Sequence, residues 1–307
     1  MFSFLPLLAH RSTWFLARFG HASRLMTSMP WVMACSMSMS PSTQGKGVAQ
    51  VQAQTLLTLS AGSLQSVCGD GSDDALTLMD LPEFTMQDLE LRGLNIPVSI
   101  LSGCSLDDLG MLRDRADKAG CPCLILVDET PLDFGEGMEV VTERLTRLTT
   151  AANKLGCSSI SVACGGDDDD DTFETVAAGL KQLMPMVDAS ELNILLIPCD
   201  GLTSDPTRLT DLIKRVGGFR IGTLPSFGHA EQTGDLEGTL RKLAPYAGGM
   251  HATIKDFTAK GGHKGCDLEK AVLAIRSVGY VNTLAIDFRG SGDPVNAIRA
   301  ARDVLEC

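Results

Sequence analysis

Acidic residues are missing from the first 69 positions of this 307-residue chain, which contain neither Asp nor Glu. That stretch holds Arg11, Arg18, Arg24 and Lys46, so the rest of the chain carries −16 against −12 for the whole. Aromatic residues are scarce at 5%, and both tryptophans, Trp14 and Trp31, fall in the first 40 positions. No apolar run reaches the roughly 18 to 20 residues of a membrane-spanning helix, since Arg11, Arg18 and Arg24 interrupt the leading segment. A membrane span is therefore not expected. The acidic remainder lacks the clustered Lys and Arg that displace counterions from nucleic acid, which excludes a broad nucleic-acid surface. Hydrophobic residues make up 44% of the chain, too many for a predominantly disordered protein.

These gaps divide the chain into residues 1–50 and residues 51–307. Three readings fit the first part: a targeting segment, a disordered tail, or a start placed too far upstream, with Met26, Met29, Met33, Met37 and Met39 as later starts. The run ending at Cys35 has a loose likeness to a lipoprotein cleavage site, but Pro30 breaks its short apolar stretch. Ten cysteines are present, and Cys123, Cys164 and Cys199 lie in or beside apolar runs, as buried thiols do. The pair Cys121 and Cys123 has no second pair at a zinc-site spacing. This usage points to a reducing, cytoplasmic compartment, with export as the alternative if the leader is a signal.

From residue 55 onward one rhythm repeats: an apolar run, a loop, then an amphipathic helix closing on glycine. The eight runs span 56–64, 91–101, 121–129, 157–166, 192–201, 219–228, 250–257 and 281–290. Most are rich in Ile, Leu and Val without alternation, as strands buried on both faces are. Helices are expected over 105–120, 140–156, 205–217, 267–279 and 293–305. Ser105, Asp205 and Asp267 stand at N-cap positions, and Gly120, Gly156, Gly217 and Gly279 at the ends. Eight strand-helix units over about 255 residues predict a single-domain (β/α)8 barrel. An open doubly wound sheet is disfavoured, because no G-x-G-x-x-G or Walker sequence follows the first strand.

A barrel carries its chemistry at the carboxyl ends of its strands. The candidates there are Asp128 and Glu129 after strand three, Cys199 and Asp200 after strand five, and Ser226 and His229 after strand six. Strand seven carries His251, Lys255 and Asp256, and strand eight Asp287 and Arg289. Histidine with converging carboxylates suits a divalent metal or acid-base work. Structural roles compete with these: a Lys255–Asp256 ion pair, an Asp287–Arg289 ion pair, an exposed His263 in a glycine loop, and Asp167 to Asp171 as a solvated entry to the fourth helix.

The phrases LMDLPEFTMQDLELRGLNI (78–96), GTLPSFGH (222–229), MHATIKDF (250–257) and GCDLEKAVLAIRSVGYVNTLAIDFRG (265–290), with the closing DPVNAIRAARDVL, occur in this order. Over residues 55–305 the chain thereby resembles the xylose isomerase-like TIM barrels, the superfamily of sugar phosphate isomerases and epimerases. The resemblance implies a ketose-like or related sugar-like substrate, with a lyase on keto-sugars or inositol-like compounds as a variant, and a homo-oligomer. It also implies a divalent metal (Mn, Zn, Co or Mg) held by four ligands after strands five, six, seven and eight. At those positions this chain has Pro198, Ser226, His251 and Asp287, with Asp200 two residues beyond Pro198. The resemblance thus makes His251, Asp287 and Asp200 the metal ligands and Asp287 and Asp200 the proton-transfer groups. His229, Ser226, Lys255 and Arg289 become substrate contacts. The losses at Pro198 and Ser226 motivate the alternative, a barrel that binds a sugar-like ligand or acts as a scaffold without metal chemistry.

Overall fold

The computed structural model describes residues 55–68 and 76–306. The leader 1–50 and its three readings lie outside the described residues. Eight parallel strands form one sheet: β1 Leu56–Ser60, β2 Leu94–Pro97, β3 Cys123–Leu132, β4 Ser159–Cys164, β5 Asn193–Ile197, β6 Ile221–Thr223, β7 Gly249–Ile254 and β8 Thr283–Phe288. Their order is β6-β5-β4-β3-β2-β1-β8-β7. The sheet closes on itself between β6 and β7, where Gly248 N donates to Thr223 O at 3.1 Å and His251 N to Pro225 O at 2.9 Å. The result is the expected (β/α)8 barrel.

The helices outside it are α1 Leu81–Gln87, α2 Leu106–Ala119, α3 Met138–Leu155, α4 Asp170–Ala189, α5 Pro206–Val216, α6 Phe227–Gln232, α7 Leu236–Leu243, α8 Leu268–Ser277 and α9 Pro294–Leu305. Local sequence starts and stops them. Ser105 and Asp108 form a reciprocal capping box at the head of α2, and Gly120 ends it in the left-handed conformation, φ 69°. Asp205, Asp267 and Asp293 cap α5, α8 and α9 as their spacing predicts. The aspartate run behaves as a helix entry: Asp169 caps α4, and Asp168 and Asp170 pair with Arg208 of α5.

Most of the apolar runs are longer than the strands within them, and two differ the most. The run 91–101 ends in a 3-10 turn, Val98–Leu101. The run 219–228 keeps only three strand residues, with Ser226 adding an isolated bridge to His251 as it caps α6. The eight described cysteines are all free thiols, and five of them are buried. Among the described residues, no helix is long and apolar enough to cross a membrane.

Strand register divides the sheet into an outer face, which packs on the helices, and an inner face. The pairs Thr58–Ala285, Ser60–Asn95, Asn95–Ile125, Val127–Ser161, Ser161–Leu195, Ser226–His251 and Thr253–Asp287 trace the inner face around the ring. Its β3–β6 side is largely apolar: Ile125, Val127, Leu195 and Leu224 form a small core of their own, with the buried Ser161 of β4 between Val127 and Leu195. Gly249 makes room for them, since a Cβ there would meet Ile125 Cδ1 at 2.8 Å and Leu224 Cδ1 at 3.3 Å. The β8–β1–β2 side is polar, with Thr58, Ser60, Asn95 and Asp287 all buried.

Candidate active site

His251 enters the barrel from β7 and is buried. Its Nε2 lies 3.1 Å from Nδ2 of Asn95 on β2, a contact that crosses the interior past β8 and β1. Asn95 is fully buried, and its Oδ1 has no hydrogen-bond partner; nor do the hydroxyls of Thr58 and Ser161. An unpaired buried polar group costs about 1–3 kcal/mol, so Thr58 and Asn95 on neighbouring strands stand ready for hydroxyl groups or water, while Ser161 of β4 lies apart from them, in register between Val127 and Leu195. Burial lowers the His251 pKa below its ordinary value; Asp287 and Glu129 oppose this and Arg289 adds to it. The ring is therefore neutral at neutral pH.

Asp287, 4% exposed on β8, shares the inner face with His251. Its Oδ2 accepts from Arg289 Nε at 2.8 Å, so the ion pair expected between these neighbours is present. Arg289 does more than this. Its Nη2 donates to Glu129 Oε1 at 2.6 Å, which carries the guanidinium over the mouth from the end of β8 to β3. Burial opposes the charge of Arg289, but Asp287 and Glu129 outweigh it and raise its pKa above the usual value. Glu129 was legible only as one of two acids ending strand three. The other, Asp128, points outward: Arg144 of α3 holds its Oδ2 at 2.6 and 3.0 Å, beside a groove of about 740 Å³ between α2 and α3. A period of two along the strand separates the two acids, because successive side chains take opposite faces.

The β6 side is built differently. The Ser226 hydroxyl accepts from His229 N at 3.1 Å as the cap of α6. His229 donates through Nε2 to the carbonyl of Ser204 at 3.0 Å, which fixes its tautomer and leaves Nδ1 a buried acceptor without a partner. Burial lowers the His229 pKa, against smaller raising effects from the Ser204 carbonyl and Asp200. Asp200 lies exposed in the loop after β5. Its charge acts on His229, and among the described residues no hydrogen bond or ion pair joins it to His251 or Asp287.

Two expectations for the loop after β7 need correction. Lys255 and Asp256 do not pair. Asp256 instead accepts from Gly292 N at 2.8 Å and from Ser291, tying this loop to the one after β8. Backbone N–H groups that point at its carboxylate are nearer and need no side-chain ordering. Lys255 is exposed, and its ammonium has no partner among the described residues. His263 is half-buried rather than exposed: its Nε2 accepts from Lys255 N at 2.8 Å and its Nδ1 donates to Cys266 O at 2.8 Å. The imidazole thus bridges both ends of a glycine-rich loop.

The metal expected from the resemblance finds no matching donors. Such ions take three or more N or O ligands at about 2.0–2.2 Å. Pro198 offers none, the Ser226 hydroxyl is used as a cap, His251 Nε2 faces Asn95, and Asp287 is bound to a cation already. Among the described residues, no three His, Cys, Asp or Glu side chains are gathered as a metal site. The residues present do not fit the group.

Solved structures share this architecture. A 3-keto-D-glucoside 4-epimerase from E. coli superposes with a TM-score of 0.66 over 82% of this chain and 99% of its own, at 13% identity. An L-ribulose 3-epimerase gives 0.66 over 81% and 92%, at 14% identity. The IolI protein with a bound zinc atom gives 0.63 over 81% and 96%, at 12% identity. No family profile matches the sequence, and no curated protein matches it. The chain has the fold of the xylose isomerase-like barrels, and at these identities the likeness is one of fold.

Proposed function

We propose that the mouth of this barrel binds a small hydroxylated carbonyl compound of the ketose type and that Asp287 moves a proton beside its carbonyl. One observation carries this reading. A buried carboxylate, Asp287, stands on the polar inner side with Oδ1 free of hydrogen bonds to the described residues, next to a neutral His251 and a half-exposed guanidinium. Asp287 takes the proton from the hydroxyl-bearing carbon. The C–H electron pair becomes the C=C bond of an enediolate, and the carbonyl oxygen takes the charge. Nη1 of Arg289, which makes no hydrogen bond with the described residues, donates to that oxygen. The hydroxyl proton passes to the former carbonyl oxygen, the freed oxygen pair forms the new C=O, and return of the first proton from Asp287 to the neighbouring carbon completes an isomerisation.

Epimerisation needs a proton removed from one face and returned to the other. The end of β5, which would supply the second base, offers Pro198. A shift between adjacent carbons on one face needs a single carboxylate, and this favours isomerisation. His229 Nδ1 accepts a substrate hydroxyl, and Lys255 at the rim meets a phosphate or carboxylate on a longer substrate. The named sugar epimerases among the structural neighbours support the substrate class.

The test is proton exchange. Ketoses and their phosphates are incubated with the protein in D2O, and loss of the C–H signal beside the carbonyl is followed by NMR. Exchange that Asp287→Asn removes supports the reading. Pro198 also favours a second reading, a barrel that only binds; that one predicts ligand-induced stabilisation with no exchange on any compound.

A further inference from the structure

We infer that the Arg289 guanidinium, clamped by Asp287 and Glu129, is a built-in cation that takes the place of a divalent metal at the barrel mouth and excludes one. Three observations lead there. The guanidinium is bound at 2.8 Å to the β8 carboxylate and at 2.6 Å to the β3 carboxylate, so it spans the opening above the polar interior. Asp287 and Glu129, the two carboxylates whose charges act on His251, are therefore spent on a fixed positive charge, and with the guanidinium between them they are not gathered with His251 as a metal site among the described residues. His251, the remaining donor, has its Nε2 directed at Asn95.

The physics favours the arginine. A divalent ion drawn to Asp287 would sit within a few ångströms of a guanidinium that cannot lose its proton at any ordinary pH. Like charges a few ångströms apart repel, and the half-exposed mouth weakens that repulsion without removing it. Half of the Arg289 side chain is exposed, which leaves its unused N–H groups open to an incoming oxygen. A planar fork of donors at fixed charge can hold an oxyanion without an ion that must be loaded first. The task given to Arg289 in turnover rests on the proton-transfer reading above. The exclusion of a metal does not, and it is measured on the resting protein.

The experiment uses the full chain and Mn2+, Co2+, Zn2+ or Mg2+ alone, with thermal unfolding, the Co2+ absorption bands and elemental analysis as readouts. Wild type and Arg289→Lys keep the cation and should show no stoichiometric metal, no Co2+ bands and no change in Tm with metal or chelator. Arg289→Gln frees both carboxylates beside His251 and should gain Co2+ bands. It should also gain about 5–10 °C in Tm at a hundredfold excess of metal over its dissociation constant. Adding His251→Ala to Arg289→Gln should abolish both gains. Stoichiometric metal in wild type that His251→Ala removes would overturn the inference, as would a folded Arg289→Gln that takes up no metal. Failure of the ketose exchange assay with these metal results intact would reject the substrate and leave the built-in cation standing.

Discussion

The two sides of the barrel interior were made from the same kind of strand and do opposite things. Toward β3, β5 and β6 the inner face is Ile125, Val127, Leu195 and Leu224, closed over Gly249, with Ser161 of β4 as the polar residue set between Val127 and Leu195. Toward β8, β1 and β2 it is Asp287, Thr58, Ser60 and Asn95, joined by His251 of β7, and two of its buried polar atoms, Thr58 Oγ1 and Asn95 Oδ1, lack partners among the described residues. Apart from the Ser161 hydroxyl, the first side is satisfied within the protein and stabilises it. The second leaves free energy unrealised, which a ligand with hydroxyl groups can recover. The difference shows where a barrel is rigid scaffold and where it is prepared for something else.

The largest effect that would separate the two sides is on turnover. Asp287→Asn should slow proton exchange by about 10²–10⁴-fold, read as the rate of deuterium incorporation into a ketose, while the fold persists by circular dichroism. Leu195→Ala on the apolar side should do the reverse. It should cost about 2–5 kcal/mol in denaturant unfolding and leave the exchange rate per folded molecule unchanged; an exchange rate that collapsed with Leu195→Ala would erase the distinction drawn here.

A pH series gives a smaller effect. Burial lowers the folded-state pKa of both His251 and His229. Below the ordinary histidine pKa of about 6.5 the unfolded chain then binds more protons than the folded one. Stability contributed by the neutral rings is present above that pH and is lost as pH falls toward the folded values, by up to about 1.4 kcal/mol per pH unit for each ring. His251→Gln should flatten that slope in chemical denaturation between pH 7 and 5, whereas an unchanged slope would show that His251 titrates normally. The smallest effect belongs to the orphaned hydroxyls. Thr58→Val should be neutral or stabilising by up to about 1 kcal/mol, and ligand affinity should fall; a loss of stability would mean that Thr58 is already paired.

Much of the barrel was legible because its signals are local. Caps such as Ser105, Asp205 and Asp293 act within three residues of themselves, and the β-run rhythm follows from burial on both faces. His251, Asp287 and the Asp287–Arg289 pair were legible too, since strand ends are where a barrel holds chemistry and the pair lies two residues apart. Glu129 as the far anchor of Arg289 was not, because the contact joins positions 160 residues apart. Nor was Asn95, which carries no motif and matters only through a contact across the barrel interior. Lys255 and Asp256 misled for the converse reason: adjacent opposite charges suggest a pair, yet here the backbone of the next loop claimed the carboxylate.

By itself, then, the sequence determined the eight-unit barrel, the strand ends at which the candidate residues stand, and the proline after strand five, because propensity, capping and side-chain type are properties of neighbouring residues. Only the tertiary structure decided that Asp128 faces outward while Glu129 meets Arg289, that His251 rests on Asn95, and that a guanidinium bridges both carboxylates at the mouth. Those choices depend on strand register and barrel closure, which bring distant residues within hydrogen-bond reach and which no local pattern specifies.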